Sequence, residues 1–358
     1  MRNFADPGPR VLRVLGRVIG LAAVVACVAT AGASAAVRAN QYGVVSAING
    51  FSLMHYGPAW GQQLPAIRAN GVQEVRSDAV WTPSQPASMD SWVTALANNR
   101  LTWQPVIDYS FDGGAWSDVT GYAAAAQVFA TRYGPGGTFW AQHPKLPYLP
   151  VQTYELGNEE DGSQWNIPAQ PYGALYLAVH TAIHAVNPSA SVVVGGLSEY
   201  NGPYDPSQDQ PSSYLVQLFG YYPQLTGIVD GYALHPYAAD AWASAQWVWS
   251  FRHTLTNYGV PKSVPIDLTE FGWPYSASNE SWRGSQMNSF GSAFARSNCG
   301  IREVAPYDWI NPTKDGMNDT DFGFVDPSAT NTTLRPAGTA WFTGLAVGST
   351  ESQWVFCP

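Results

Sequence analysis

From about residue 40 to residue 347 the chain repeats one pattern: a short apolar run rich in β-branched and aromatic residues, then a stretch with helical spacing. The strand-like runs are Ile48–Met54, Gly71–Val80, Leu101–Tyr109, Val151–Gly157, Ser191–Leu197, Ile228–Leu234, Pro265–Phe271 and Ile301–Trp309. Helices are predicted over Gln62–Asn70, Ser88–Asn99, Thr120–Tyr133, Tyr172–Val186, Ser213–Tyr221, Ala241–Tyr258, Trp282–Ser297 and Pro336–Val347. Ser88 stands ahead of one helical run as a start signal, and Asn70-Gly71 and Asn187-Pro188 close two others. Alternating strands and helices favour a parallel sheet with crossover helices. Eight such units favour closure into a single (β/α)₈ TIM barrel, an α/β fold spanning residues 36–358. No Gly-x-Gly-x-x-Gly follows the first strand, which weakens the dinucleotide-binding alternative.

Composition agrees with a packed domain and removes several partners. Hydrophobic residues are 46% and charged residues 12%, which excludes a disordered chain or a coiled coil. Lys plus Arg number 17 against 26 Asp plus Glu, and Arg is enriched only at the N-terminus, so no nucleic-acid partner is expected. Residues 1–35 read as an export signal: Arg2, Arg10, Arg13 and Arg17, an apolar run Val18–Ala29, then Ala33-Ser34-Ala35 as a cleavage site. The run is short for a stable membrane span. Val24-Val25-Ala26-Cys27 offers a rival lipoprotein anchor through Cys27, but the stretch after it is apolar rather than a polar tether, so soluble secretion is favoured. Cleavage would remove those four Arg and Asp6, leaving 13 basic against 25 acidic groups, near −12. Cys299 and Cys357 then remain, expected as one disulfide tying the C-terminus to the body, with two buried thiols as the alternative. Two cysteines and scattered histidines offer no metal site, and deacetylase or metalloprotease readings lack clustered ligands such as His-x-x-x-His.

Reactive side chains of such a barrel gather at the C-terminal ends of its strands. Those ends carry Arg76 on strand 2, Gly157-Asn158-Glu159-Glu160-Asp161 on strand 4 and His235-Pro236-Tyr237 on strand 6. Strand 7 ends in Thr269-Glu270-Phe271-Gly272-Trp273 and strand 8 in Tyr307-Asp308-Trp309. Glu159 and Glu270 project from opposite sides of one mouth, an arrangement that suits acid and nucleophile work by two carboxylates. Their pKa values must then be pushed apart, and Arg76 is the cation to keep Glu270 ionised.

In these residues the chain resembles the clan A glycoside hydrolases, retaining enzymes on a (β/α)₈ barrel. The resemblance runs from strand 2 to the last helix, and its strength lies in the motif order and the 111-residue gap between the two glutamates. It implies that Glu159 is the acid/base and Glu270 the nucleophile. Arg76 would support the nucleophile, Asn158 would bind the 2-hydroxyl, Tyr237 in His235-x-Tyr237 would hydrogen-bond the nucleophile, and Trp309 would lie beneath the sugar. Two departures appear: Glu160 and Asp161 follow the acid where relatives often have Pro, and strand 3 ends in Asp108-Tyr109-Ser110 where family 5 usually has a histidine. These move the chain from typical cellulases towards family 39 or an unassigned relative. The loop from Glu160 to Trp165 resembles family 51, although an accompanying β-sandwich would not fit.

Plainer roles stand beside these. Glu155 reads as a barrel-interior ion-pair partner, Glu160 as a loop carboxylate meeting substrate or solvent, and Asp108 as either a hydroxyl acceptor or a partner of Arg76. Without the resemblance, His235 would read as a satisfied barrel histidine. Trp60, Trp92, Trp103, Trp242, Trp247, Trp249, Trp341 and Trp354 read as packing. Trp81, Trp116, Trp165 and Trp273 follow strand ends and are candidates for stacking on sugar, with about half expected to touch it. The expectation is a secreted, cofactor-free, monomeric retaining O-glycoside hydrolase acting on a β-linked carbohydrate. The alternatives are a transglycosylase and a non-catalytic carbohydrate-binding barrel.

Overall fold

The computed structural model describes residues 44–162, 166–198, 202–310, 321–347 and 357. Eight parallel strands close into one barrel in sequence order. They are β1 Val45–Asn49, β2 Glu74–Asp78, β3 Thr102–Ile107, β4 Thr153–Asn158, β5 Ser191–Ser198, β6 Gly231–His235, β7 Ile266–Leu268 and β8 Ile301–Val304. Around them run α1 Phe51–His55, α2 Trp60–Ala69, α3 Asp90–Asn98, α4 Val119–Tyr133, α5 Thr138–Gln142 and α6 Ala169–Val186. The ring continues with α7 Gln210–Tyr221, α8 Leu225–Ile228, α9 Ala241–Asn257, α10 Glu280–Phe294 and α11 Pro336–Val347. The expected (β/α)₈ architecture is the one observed.

Local chemistry explains several boundaries. Asp118, Asp209 and Asp240 each accept a backbone N–H of the first turn of α4, α7 and α9, satisfying donors that have no partner inside the helix. Ser88 does not cap α3; its hydroxyl donates to the Val80 carbonyl, and the helix begins at Asp90. β1 lies earlier than the run Ile48–Met54 predicts. Apolar content continues past Asn49, but Phe51–His55 coils into α1, because a run of apolar residues is equally a strand or a buried helix turn by periodicity alone. Strand 8 also ends early, at Val304, leaving Tyr307 and Trp309 on the loop beyond it.

The strands are buried on both faces, between the barrel interior and the helix ring. Under β2 and β3 the outer core is aromatic, with Trp81, Trp103, Phe111, Phe129 and Tyr133 in edge or stacked contact. Trp92, Trp103, Trp247 and Trp341 pack as expected. Trp242 is instead exposed, and Trp354 lies outside the described residues. At the N-terminal end of the barrel Arg302 pairs with Asp267 and donates to Ser191, bridging β8, β7 and β5.

Cys299 and Cys357 form a disulfide across 58 residues, reinforced by paired hydrogen bonds between Asn298 and the Cys357 backbone. Closing a loop of that size restricts the unfolded chain, a contribution of about 2–4 kcal/mol. In a chain beginning at residue 36, no thiol should react before reduction. Reduction, or Cys299→Ser, should lower the unfolding free energy in urea by that amount; an unchanged midpoint would contradict it.

Candidate active site

The side chains that converge do so because they end their strands at one rim. Asn49 closes β1, Arg76 lies in β2 directly beside it in register, Asn158 closes β4 and His235 closes β6. Glu270 follows β7 by two residues.

Arg76 is the hub. Its guanidinium is buried and grips Glu155 with two bonds, Nε to Oε2 at 2.7 Å and Nη2 to Oε1 at 2.9 Å. Nη1 donates to Glu270 Oε1 at 2.6 Å, and Nη2 also donates to Asn158 Oδ1 at 2.8 Å. Burial by itself would lower the Arg76 pKa, but the charges of Glu155 and Glu270 hold it well above its ordinary value. Glu155 is likewise held below the usual carboxylate range, its burial outweighed by Arg76. Gln104, Thr269 and the Gly196 N–H complete the hydrogen bonds on Glu155. Glu155 is therefore the interior ion-pair partner that its place in mid-strand indicated.

Glu270 carries three donors. Arg76 and the Asn49 amide, at 3.2 Å, hold Oε1, and the Tyr237 hydroxyl donates to Oε2 at 3.0 Å. Burial and the charge of Glu270 raise the Tyr237 pKa well above its ordinary value, so this hydroxyl stays a donor. Asn49 is absent from the sequence reading. Its signal is the polar side chain that ends β1, which falls inside the run Ile48–Met54 rather than at its end.

Glu159 stands on strained backbone, with φ at 57°, after Gly157 at φ 94°. A non-glycine residue there costs roughly 1–3 kcal/mol and persists only where its surroundings over-determine it. Gly157 is required twice, since a Cβ would also come within 1.6 Å of Glu160 Oε1. The Glu159 carboxylate accepts from or donates to His235 Nδ1 across 2.9 Å. Behind the ring, the Thr269 hydroxyl donates to Glu155 and stands 3.1 Å from His235 Nε2, which Arg76 Nη2 also approaches at 3.5 Å. Nδ1 and Glu159 Oε1 face each other as the two ends of one hydrogen bond. Gly196 makes room for this ring, because a Cβ would lie 2.0 Å from Nε2.

Burial alone would raise the Glu159 pKa, but the hydrogen bond and charge of His235, then Ser198 and Arg76, hold it below the ordinary carboxylate value. The His235 pKa moves the opposite way: burial lowers it, and the charge of Glu270 and the bond to Glu159 raise it above its ordinary value. The expectation that the two carboxyl pKa values are pushed apart therefore meets a Glu159 held low by its histidine partner. A carboxylate oxygen of Glu159, a ring nitrogen of His235 and a carboxylate oxygen of Glu270 all lie within 4.8 Å of one another.

Other predicted residues fall elsewhere. Trp309 is fully buried and donates to Gln63 on α2, so it packs against the helix ring. Trp273 is buried and donates to the Ala238 carbonyl, and Trp81 is buried and donates to Pro86. Trp116 lines a small cavity with Asp108, Tyr109 and Tyr122, and Trp165 lies outside the described residues. Glu160 does not face solvent: its carboxyl turns back into that same cavity beneath Gly157 and Gly195, where burial pushes it well above its usual range. Asp108 accepts from the Ser110 N–H and makes no bond to Arg76, and burial raises it to about 6. Asp161 borders a polar groove of about 400 Å³ with Asp209, Ser213 and Tyr214, and burial raises it to about 7. The expectation of scattered histidines with no His-x-x-x-His pair is also corrected: His180-Thr181-Ala182-Ile183-His184 is such a pair. His180 and His184, four apart on α6, meet Asp230 at the opposite end of the barrel.

No protein-family model and no curated protein matches the chain. Solved structures share its fold. A family 39 glycoside hydrolase from the gut symbiont Bacteroides cellulosilyticus WH2 aligns with TM-score 0.60 at 15% identity, over 87% of this chain and 65% of that one. A monomeric beta-xylosidase from Caulobacter crescentus CB15 aligns with TM-score 0.63 at 12% identity, over 87% and 69%. A GH5_18 protein from Streptomyces cattleya, solved in complex with GlcNAc, aligns with TM-score 0.59 at 15% identity, over 88% and 82%. The fold that the motif resemblance implied is the fold these proteins have, and this chain spans 65% of the length of the first.

The Glu159–His235 pair has a direct test. His235→Ala removes the hydrogen bond and the cationic neighbour, so desolvation is left to dominate at Glu159. Carbon-13 NMR titration of labelled glutamate should show the Glu159 pKa rising in the variant. A fall, or no change, would break the assignment.

Proposed function

We propose that this protein is a retaining O-glycoside hydrolase acting on a β-linked carbohydrate. The observation that carries the reading is that one carboxylate oxygen of Glu159 and one of Glu270 lie within 4.8 Å of each other, with Arg76, Asn49 and Tyr237 donating to Glu270. An inverting pair needs about 6.5–9.5 Å to hold a water between the carboxyls, whereas a retaining pair sits about 5–5.5 Å apart.

In the first step a Glu270 oxygen attacks the anomeric carbon while the bond to the leaving oxygen breaks. The proton between Glu159 and His235 goes to that oxygen through Glu159. In the second step Glu159 takes a proton from water, the water oxygen bonds to the anomeric carbon, and the ester to Glu270 breaks. Arg76, Asn49 and Tyr237 hold the attacking carboxylate aimed, and Tyr237 and Arg76 stabilise it again as it leaves. With Arg76 occupying its oxygen, the Asn158 amide has its NH₂ to offer a sugar hydroxyl. Residues 1–35 are proposed to direct export, giving a mature enzyme from residue 36 without a metal in its reaction.

Sugar release from β-linked oligosaccharides and aryl β-glycosides tests this. The first-formed product, read by proton NMR, should keep the β configuration; the α anomer would overturn the retaining reading. Glu270→Ala should lose roughly 10⁴-fold or more in kcat/KM. Because the basic limb reports protonated Glu159, and His235 lowers that pKa, His235→Ala should move the limb to higher pH. Binding without turnover in the wild type would instead support a non-catalytic barrel.

A further inference from the structure

The end of the barrel away from Glu159 and Glu270 carries a second cluster of donors. His180 and His184 lie one turn apart on α6, their rings side by side with centroids 4.2 Å apart. Both Nε2 atoms aim at Asp230, the residue just before β6: His184 at 2.8 Å and His180 at 3.3 Å from the same Oδ2. The Val192 N–H, at the start of β5, donates to that oxygen at 2.9 Å and fixes the carboxylate. Asp230 and His235 flank the two ends of β6, so the cluster is separated from the Glu159–His235 pair by roughly 13 Å or more, at about 3.3 Å per strand residue.

We propose that His180, His184 and Asp230 form a binding site for a borderline divalent cation of the zinc class. Two imidazoles four apart on a helix present their nitrogens to one point, and a carboxylate supplies the charge. In tetrahedral zinc, ligands at about 2.0–2.2 Å from the ion stand roughly 3.3 Å from each other. Here the three ligand atoms all lie within 4.8 Å of one another. An ion therefore needs only small side-chain shifts, not backbone movement. The present contacts leave one ring nitrogen poorly served: His180 Nε2 is shielded from solvent, near Oδ2, yet has no hydrogen bond of acceptable geometry. A metal would take the place of the hydrogens on both Nε2 atoms, each neutral imidazole binding as its Nδ1–H tautomer and the Asp230 carboxylate keeping its charge. The side chains keep 16–25% exposure, which admits an ion and a water as fourth ligand. Val192 supplies the outer hydrogen bond that orients a metal-bound carboxylate. The site would staple α6 to the starts of β5 and β6, a structural rather than a reactive role.

The test uses the untagged chain from residue 36, stripped with chelator, and titrated calorimetrically with zinc alone at neutral pH. One ion per chain should bind, with a midpoint at or below about 10 µM, and saturating zinc should raise the unfolding temperature. Cobalt should give a visible absorption band of low-coordinate geometry. His184→Gln and Asp230→Asn, which keep size and hydrogen bonding, should each weaken zinc at least tenfold. Absence of binding to the wild type would overturn the proposal. So would wild-type affinity in both variants with loss in His235→Ala, which would place the ion among Glu159, His235 and Glu270 instead.

Discussion

The rim of this barrel depends on one buried cation. Arg76 sits out of water among Glu155, Glu270 and Asn158, and a charge in that position is tolerable only with its donors filled and its charge matched. Glu155 supplies the match with a two-bond grip, which the planar guanidinium forms and a lysine ammonium could not. Glu270 receives one directional bond from the opposite side of the guanidinium, an ion pair at 2.6 Å, while Asn49 and Tyr237 fix its orientation. Removing either glutamate would leave charge uncompensated in the interior, a loss of about 3–5 kcal/mol, so the same contacts that position the site also hold β2, β4 and β7 together.

Behind this lies a continuous relay. Glu155 accepts from Thr269, Thr269 meets His235 Nε2, and His235 Nδ1 meets Glu159. The relay ties the two candidate catalytic carboxylates to the same buried anion. Gly157 and Gly196 are its steric condition. One allows the backbone to turn so that Glu159 faces the mouth, and the other leaves space for the imidazole. The polar interior is thus built as one network, in which each member limits the protonation of the next.

The cluster on α6 belongs to the other end of the molecule and to a different logic. Barrels of this type place variable chemistry at the C-terminal rim and stability at the N-terminal face. A cation clamped between a surface helix and two strand starts fits the second category, as does the disulfide that anchors residue 357 to the loop before β8.

The alternation of eight strands and helices determined the barrel from sequence alone, because continuous apolar runs and period-3.6 patterns are local and survive without knowledge of neighbours. The same holds for Arg76, Glu159, Tyr237 and Glu270, whose positions at strand ends follow from the fold class. What sequence could not decide was orientation and burial. Asn49 was missed because a shift of a few residues at a strand end changes which side chain reaches the rim. Trp309 and Trp273 were aromatic residues in the right segments, yet they turn into the helix ring, since direction on a loop is set by packing partners far along the chain. Glu160 is one residue from Glu159 and lies in an apolar cavity, because the turn at Gly157 sends consecutive carboxylates opposite ways. His180 and His184 were adjacent on one helix face in sequence, but only the crossover connection brings Asp230 to them, 46 residues from His184. Periodicity is written residue by residue; a hydrogen-bonded pair, a buried charge or a ligand cluster exists only once distant segments meet.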